Sequence, residues 1–152
     1  MNKSAFAALT SFMSPAFRRP EFVQTAALCV RQGADGPEVL LVSSLTSRRW
    51  IIPKGWPMDG RTLAEAAAQE AWEEAGIRGT VSPESMGSFG YRKLVKGGVP
   101  IQCRCEVYRI DVTEVAANWP EKKERERRWL SPAEAAARVE EPELKALLLG
   151  LL

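Results

Sequence analysis

Histidine is missing from this chain of 152 residues, and cysteine is scarce. Without histidine there is no His-based catalytic triad, His metal ligand or imidazole base, so carboxylates must carry any acid–base or metal chemistry. The cysteines are Cys29, Cys103 and Cys105, and their odd number argues against a disulfide framework and favours a reducing, cytoplasmic location. Because Cys103 and Cys105 lie two apart in a strand-like run, they are predicted to share one sheet face as small buried side chains rather than to bind zinc.

A large excess of either charge is also missing. There are 21 Lys and Arg against 19 Asp and Glu, a formal net charge of +2, so the overall charge does not require nucleic acid or a membrane surface as a partner. No segment approaches the roughly 20 apolar residues that span a bilayer. We therefore expect no membrane and no specific nucleic-acid partner, and a monomer or homodimer.

Length and composition fit one domain, predicted over residues 21–152. The first 20 residues are faintly similar to a signal peptide, but Thr10 and Ser11 interrupt their apolar stretch. The prolines and arginines from Pro15 to Pro20 favour instead a loose N-terminal arm, residues 1–20.

Apolar runs separated by turn residues predict a mixed sheet flanked by helices, which is an α/β fold. The main helix is predicted over Thr62–Ala75, because Thr62 and Glu65 have the spacing of a capping box and Gly76 stands where helices commonly end. A further helix is predicted to begin after Ser131. Strands are predicted at residues 22–31, 38–43, 49–53, 79–81, 84–93, 99–112 and 127–130, turns at 33–37 and 96–98, and a terminal helix at 143–149.

The main helix carries Glu70, Glu73 and Glu74 at positions i, i+3 and i+4, so the three side chains share one face within one turn. Like charges this close repel one another, unless a cation lies among them. Oxygen ligands without nitrogen or sulfur suit Mg²⁺ or Mn²⁺. The alternative is a solvated acidic face. The opposite face is rich in alanine, which lets the helix pack close to a sheet, and the glycines of the loop from Gly55 to Gly60 let backbone approach a ligand.

The segment GWPMDGRTLAEAAAQEAWEEAGI, residues 55–77, resembles the Nudix box. The pattern of that box is a glycine, five residues, a glutamate, seven residues, and then Arg-Glu-apolar-x-Glu-Glu-x-Gly-apolar. Gly55 matches the opening glycine, and Glu70, Glu73 and Glu74 match the glutamates of the second half.

Two positions depart from the Nudix box. Arg61 stands in place of the first glutamate, and Gln69 stands in place of the arginine. In the family these two residues are associated with orienting the loop and the catalytic glutamate. Their joint loss indicates a coordinated replacement, in which Arg61 hydrogen-bonds Gln69 or a nearby carboxylate.

The resemblance implies a Nudix-type α/β/α sandwich with a mixed β-sheet and a loop-helix catalytic motif. Nudix hydrolases cleave a nucleoside diphosphate linked to another moiety, or a related polyphosphate, by metal-assisted attack of water on phosphorus. By the resemblance, Glu70 and Glu74 are the leading metal ligands, Glu73 is a ligand or the base, and Gly55 belongs to the metal site. Glu106 is an additional candidate ligand, with an outward-facing strand charge as the alternative.

The similarity extends over approximately residues 22–140 to the diphosphoinositol polyphosphate and diadenosine polyphosphate phosphohydrolase branch, through AALCVR, EVLLVSS, RRWIIPKG and RERRWLSPAEA. This implies a small-molecule polyphosphate substrate, bound by basic and serine side chains. The mixed charges of EKKERERR, residues 121–128, favour a solvated segment. The matching substrate-binding candidates are Ser43, Ser44, Arg48, Arg49, Lys54, Arg127 and Arg128, with Arg92 and Lys93 aligned less firmly.

Some residues depart from that branch. Phe22-Val23-Gln24 stands where the branch tends to be basic, and Lys54-Gly55-Trp56 replaces a more glycine-rich turn. Both changes favour dinucleoside polyphosphates or smaller nucleotides over heavily phosphorylated inositols. Trp56 is a candidate to stack on a base, with packing against the sheet as the alternative.

Two other functions stay open. One is a different Nudix specificity, such as ADP-ribose, a nucleotide sugar, a nucleoside triphosphate or an RNA 5′ end. The other is a catalytically weak Nudix-fold ligand-binding module, which the changes at Arg61 and Gln69 favour. The intact metal glutamates favour an enzyme.

A Glu73→Gln or a Glu74→Gln variant is expected to lose most turnover while remaining folded, because each removes a carboxylate charge with little change in side-chain size. Phosphate release, measured alongside circular dichroism, checks this expectation. Full activity in both variants would contradict a catalytic role for this helix.

Overall fold

The computed structural model describes residues 22–93 and 97–152. The predicted N-terminal arm, residues 1–20, and Lys96 of a predicted turn lie outside the described residues. No helix within the described ranges is long and apolar enough to cross a membrane. The strands there are Phe22–Gly33 (β1), Gly36–Ser43 (β2), Trp50–Ile51 (β3), Lys54–Gly55 (β4), Ile77–Val81 (β5), Gly87–Lys93 (β6), Ile101–Val115 (β7) and Arg127–Leu130 (β8), and the helices are Leu63–Ala75 (α1), Pro132–Arg138 (α2) and Pro142–Leu149 (α3).

Strand β1 is central in a mixed sheet whose order is β3-β2-β1-β7-β5. It pairs antiparallel with β2, with Val30 opposite Val39, and parallel with β7, with Ala26 opposite Val107. In addition, β4 pairs with β1, β6 with β7, and β8 with β2. Because β1 has neighbours along both edges and helices over both faces, residues 26–30 are all apolar instead of alternating with polar residues.

The sheet separates two layers of hydrophobic core. Helix α1 covers one face with its alanines, and α2 and α3 cover the other face. Side chains of β1 alternate between the two layers, with Ala27 and Cys29 facing α1 and Leu28 and Val30 facing α2 and α3. This arrangement confirms the predicted α/β/α sandwich. The alanines on the sheet side of α1 are Ala64, Ala67, Ala71 and Ala75.

Helix α1 begins and ends where its sequence predicts. Thr62 Oγ1 accepts the Glu65 N–H at 3.0 Å, and Glu65 Oε1 accepts the Thr62 N–H at 2.8 Å, which completes the capping box. Gly76 has a φ of 69°, the left-handed conformation common after a helix. A Cβ at Gly76 would also press against the Trp119 ring at 3.0 Å, so a side chain there would be both strained and crowded.

The strand predicted at 49–53 is divided between two neighbours. Trp50–Ile51 pairs with β2, and Lys54–Gly55 pairs with β1. Between them, Pro53 has no N–H to donate, but its carbonyl accepts the Ala27 N–H at 2.8 Å. The chain therefore crosses from β2 to β1 and brings Lys54 and Gly55 to the N-terminal half of β1.

Most of the predicted strands have different limits in the structure: β1 continues to Gly33, β2 begins at Gly36, and the other changes are in β5, β6 and β7. Strand β5 begins at Ile77 and β7 continues to Val115, because these two residues pair with each other. Strand β6 begins at Gly87 instead of Glu84. The reason is a local turn in which Ser85 Oγ accepts the Gly87 N–H at 3.1 Å.

All three cysteines are buried. Cys29 lies in the core layer under α1, whereas Cys103 and Cys105 lie together in the other layer, which confirms their shared face. Burial raises the pKa of the Cys29 and Cys105 thiols to about 12.

We expect the native protein to react slowly with a thiol reagent such as DTNB, because the thiolate is the reactive form and these thiols are both buried and neutral. Titration in denaturant should detect three thiols, and titration of the native protein in the same time only a small fraction of one. Rapid labelling of the native protein would contradict this burial.

Candidate active site

A cavity of about 900 Å³ lies beside β4. Its walls come from β1, the segment 44–49, β4 with the loop that follows it, α1, β6, and the junction between α2 and α3. Charged side chains of both signs line it, so it is suited to an anionic ligand accompanied by a cation. The basic ones are Arg49, Lys54, Arg92, Lys93 and Arg125, and the acidic ones are Glu70, Glu74, Glu140 and Glu141.

Glu70 and Glu74 are one helical turn apart on α1, on the side that meets β4. Both side chains line the cavity, and the Lys54 N–H lies 3.4 Å from Glu74 Oε1. A Cβ at Gly55 would overlap the Glu70 carboxylate. The glycine at this position is therefore required for the close approach of β4 to a carboxylate, rather than for an unusual backbone angle.

Burial raises the pKa of both Glu70 and Glu74, and repulsion between neighbouring glutamates raises it further. The guanidinium of Arg125 opposes the shift at Glu74, because its Nη2 lies 3.4 Å from Glu74 Oε2. Arg125 is shared, however, since its Nε lies 2.6 Å from Glu121 Oε1, and its Nη1 donates to the Ser43 carbonyl at 3.0 Å. The glutamate pair is therefore incompletely neutralised by the protein.

Glu73 does not line the cavity. Its Oε2 accepts the Gln69 amide at 2.6 Å. Gln69 therefore bonds to Glu73 and not to Arg61, whose side chain is exposed. The predicted alternative, a bond from Arg61 to a nearby carboxylate, is not found among the described residues either. Among residues 22–93 and 97–152, no three or more Cys, Asp or Glu side chains are arranged to hold a metal ion. The pair that remains fits Mg²⁺ or Mn²⁺, because these ions commonly use one or two carboxylates together with water and substrate phosphates.

The C-terminal end of α1 is held by the segment that leads to β8. Trp119 Nε1 donates to the Glu74 carbonyl at 3.1 Å, and Arg127 Nη1 donates to the Ala75 carbonyl at 2.7 Å. The Arg127 guanidinium also stacks on the Trp119 ring at 3.9 Å. These donors satisfy carbonyls that the helix itself leaves open, and a cation is favourable at this end of the helix dipole. Glu74 is therefore held rigidly against β4.

A second group of polar side chains lines the same cavity. Lys54 Nζ lies 4.4 Å from the centroid of the Tyr91 ring, and the Tyr91 hydroxyl donates to Gln24 Oε1. Tyr91 and Gln24 are both buried, and burial lowers the pKa of Lys54. Arg49 Nη2 forms an ion pair with Glu141 Oε2 at 2.6 Å.

Four of the predicted substrate-binding residues line the cavity, namely Ser44, Arg49, Lys54 and Trp56, and so do the more loosely aligned Arg92 and Lys93. Ser44 Oγ accepts the Arg49 N–H at 3.1 Å and therefore also shapes its own loop. Trp56 is 43% exposed, and its ring meets that of Phe22 edge-on at 6.3 Å between centroids. Much of the Trp56 ring thus stays open to a ligand.

Ser43 and Arg48 lie outside the cavity. Ser43 is buried, and its Oγ accepts the Glu126 N–H at 3.0 Å. Arg48 has a φ of 57°, and its Nη1 donates to the Glu124 carbonyl at 2.8 Å. Both residues hold the segment before β8 against the end of β2.

Arg127, Arg128 and Glu106 also lie outside the cavity. Arg127 binds the end of α1, and Arg128 lies over the Trp50 ring at 5.1 Å. Glu106 Oε1 accepts a hydrogen bond from Ser85 Oγ at 2.8 Å. The structure therefore does not bring these three side chains together with Glu70 and Glu74.

Among the cavity residues that the sequence analysis missed are Gln24, Tyr91, Arg125, Glu140 and Glu141. The prediction that residues 121–128 are solvated is wrong for Arg125, whose side chain is 11% exposed. The i, i+4 spacing of Glu121 and Arg125 is a signal that could have marked an ion pair. Gln24, Tyr91 and Glu141 lie far apart in the sequence, and no local pattern connects them.

Known proteins resemble this chain in both sequence and fold. A family model described as the NUDIX domain matches residues 22–149. The chain is 40% identical over 101 residues to Nudix hydrolase 12, mitochondrial, of Arabidopsis thaliana, which covers 64% of this chain and 50% of that protein. It is 30% identical over 114 residues to diphosphoinositol polyphosphate phosphohydrolase 3-beta of Bos taurus, which covers 74% of this chain and 65% of that protein. The chain thus spans about half the length of the plant relative.

A solved structure of an Ap4A hydrolase from C. elegans superposes with a TM-score of 0.63 at 20% sequence identity. The match covers 86% of this chain and 95% of that chain. At this identity the likeness shows a common fold.

The predicted cytoplasmic location is wrong by comparison with the relatives. Three plant relatives, at 40%, 36% and 33% identity, are each named as mitochondrial proteins. The small number of cysteines indicates reduced thiols, but several compartments keep thiols reduced, so composition could not distinguish among them.

An Arg125→Gln variant is expected to lose about 3 kcal/mol of unfolding free energy without metal, because it leaves the buried Glu74 carboxylate without this cation. Added Mg²⁺ should recover part of this loss by supplying positive charge beside Glu74. Urea unfolding in EDTA and in Mg²⁺ measures both effects. Arg128→Gln, at an exposed position, is the matched control and should change stability by less than about 0.5 kcal/mol. Equal losses in the two variants would contradict the role of Arg125.

Proposed function

Because this chain belongs to the Nudix family, we propose that it is a metal-dependent phosphohydrolase that cleaves a phosphoanhydride bond in a small polyphosphorylated substrate by attack of water. The observation that carries the proposal is the buried Glu74 together with the half-buried Glu70, held against Gly55 in a cavity that is also lined by basic side chains. Buried acidic groups with incomplete neutralisation are commonly found at functional sites.

Glu70 and Glu74 are the residues that would hold the cation. Their oxygens and the absence of histidine from the chain favour Mg²⁺ or Mn²⁺ over metals that prefer nitrogen or sulfur. When bound, such an ion supplies charge neutralisation at the phosphate oxygens and a lower pKa for the attacking water. Gly55 keeps the strand backbone close to the carboxylates, so that substrate and cation meet on a rigid surface.

Other side chains have separate roles in the proposed reaction. Lys54, Arg92 and Lys93 line the cavity and would position phosphate groups and stabilise charge as it develops. Arg125 is engaged by Glu74 and Glu121, so it orients Glu74 instead of binding phosphate. Glu73 keeps its assignment as a metal ligand or the base only by the family resemblance, because Gln69 holds its carboxylate outside the cavity, and to act it would have to turn away from Gln69.

The substrate class that we propose is a dinucleoside polyphosphate or a diphosphoinositol polyphosphate. The name of the bovine relative and that of the C. elegans structure support these two classes. Trp56 supports a nucleotide, because its partly exposed ring lies at the cavity and can stack on a base.

A second candidate is a ligand-binding module with weak catalysis. The hydrogen bond between Gln69 and Glu73 favours this candidate, because it engages the carboxylate that would otherwise be available as a base. A hydrolase of ADP-ribose, a nucleotide sugar or a nucleoside triphosphate is the third possibility. It differs from the first in the substrate and not in the chemistry.

We expect Mg²⁺-dependent phosphate release from at least one member of a panel of diadenosine polyphosphates, diphosphoinositol polyphosphates, ADP-ribose, nucleotide sugars and nucleoside triphosphates. Glu70→Gln should lower kcat at least about 100-fold, the usual size of a lost acid–base or metal group. Glu65→Gln on the same helix is the matched control and should retain activity, because glutamine preserves the capping box. Tight binding without hydrolysis of any substrate would favour the module instead.

A further inference from the structure

An ion pair lies in the cavity wall at the junction between α2 and α3. Glu141 Oε2 is 2.6 Å from Arg49 Nη2, and the Glu141 side chain is 7% exposed. The neighbouring Glu140 is 68% exposed, and its Oε1 lies 3.8 Å from Arg49 Nε. Arg49 therefore contacts two carboxylates, of which the buried one is held closely.

This pair leaves buried polar atoms without partners. Among the described residues, Arg49 Nη1 and Glu141 Oε1 are buried and have no hydrogen-bond partner. Such atoms cost free energy, and a buried ion pair is often no more stabilising than apolar side chains of equal size. Glu141 is also the N-cap residue of α3, yet its side chain makes no capping hydrogen bond. The stability of the fold therefore does not explain a carboxylate at this position.

The effect of Glu141 on the cavity is electrostatic. Without it, Arg49 would add a free cation to those of Lys54, Arg92 and Lys93, whereas Glu141 neutralises that charge at 2.6 Å. A phosphate beside this wall would meet the Glu141 carboxylate as a like charge, with little solvent to screen it.

An uncharged group would meet no such repulsion. Besides Glu74 and Glu141, the cavity contains the buried polar residues Gln24 and Tyr91, which are themselves uncharged and bonded to each other. This part of the cavity therefore contrasts with the glutamate pair on α1, where a cation and phosphates belong together.

On the basis of the proposed function, we propose that Glu141 determines substrate specificity. By binding Arg49 it withdraws a phosphate-binding cation from this wall, so that the wall accepts the uncharged nucleoside part of a substrate and disfavours a phosphorylated inositol ring. The polyphosphate chain lies instead at Lys54 and at the cation that Glu70 and Glu74 would hold. The substrate class is then a nucleoside polyphosphate, with dinucleoside polyphosphates included.

The test compares kcat/KM for a diadenosine polyphosphate and a diphosphoinositol polyphosphate in the wild type, Glu141→Gln and Glu140→Gln. Glu141→Gln should shift the ratio of the two values about tenfold towards the diphosphoinositol substrate, equivalent to ~1.4 kcal/mol, because Arg49 becomes free to bind phosphate. Glu140→Gln removes an exposed carboxylate beside the same arginine and should leave the ratio within about twofold. Thermal unfolding shows whether each variant is folded. Glu141→Ala also removes the carboxylate that pairs with Arg49, and it is the second variant in which the same shift is expected.

The double variant Arg49→Gln with Glu141→Gln should lose the gain on the diphosphoinositol substrate, because the freed cation is gone. If the Arg49–Glu141 pair only ties the 44–49 segment to α3, Glu141→Gln would lower kcat/KM equally for both substrates. That result, or an unchanged ratio of the two values, overturns the proposal.

Dissociation constants of the two substrates in EDTA provide an independent measurement. If the wild type binds both substrates but hydrolyses neither, the proposed function fails. The binding ratio in Glu141→Gln still decides the role of Glu141, with the same tenfold shift expected and no shift refuting it.

Discussion

The carboxyl pair of Glu70, half-buried, and Glu74, buried, where α1 meets β4 is the constraint on which the rest of the site depends. Two neighbouring acidic groups withdrawn from solvent are costly unless cations and N–H groups surround them. The protein provides the Lys54 N–H and the Arg125 guanidinium, and Gly55 provides the space. The remaining deficit of positive charge is what makes this place suitable for a divalent ion and a phosphate chain.

The fold keeps that pair in place by holding α1 along the side that faces the sheet and at both of its ends. Its alanines bring the helix close to the sheet, Thr62 caps its start, and Trp119 and Arg127 bind its last carbonyls. A helix held this way offers its carboxylates in one geometry, which is what pre-organised charge stabilisation requires. Arg127 thereby contributes to the site by positioning α1, although its own side chain lies outside the cavity.

The distribution of charge around the cavity separates two tasks. Carboxylates and cations near β4 suit a polyphosphate with its metal, whereas the Arg49–Glu141 pair neutralises the wall formed by the α2–α3 junction. Without Glu141, Arg49 would instead add positive charge to this wall. One departure from the Nudix box also changes the partner of a carboxylate. Gln69 donates to Glu73 at 2.6 Å from a position where the family pattern has an arginine.

The sequence by itself determined the elements with strong local signals. The capping box at Thr62, the glycine at 76 and the spacing of Glu70, Glu73 and Glu74 depend on residues close together in the chain, so the limits of α1 could be read directly and the proposed class of chemistry could be inferred. Tertiary structure alone decided which side chains face the cavity. Gln24 and Tyr91 meet there because β1 and β6 both pair with β7, and Arg125 and Glu141 reach it from later segments of the chain. Such long-range contacts produce no periodic pattern in the sequence. A basic residue looks the same in the sequence whether its partner in the fold is a phosphate, a helix end or a carboxylate.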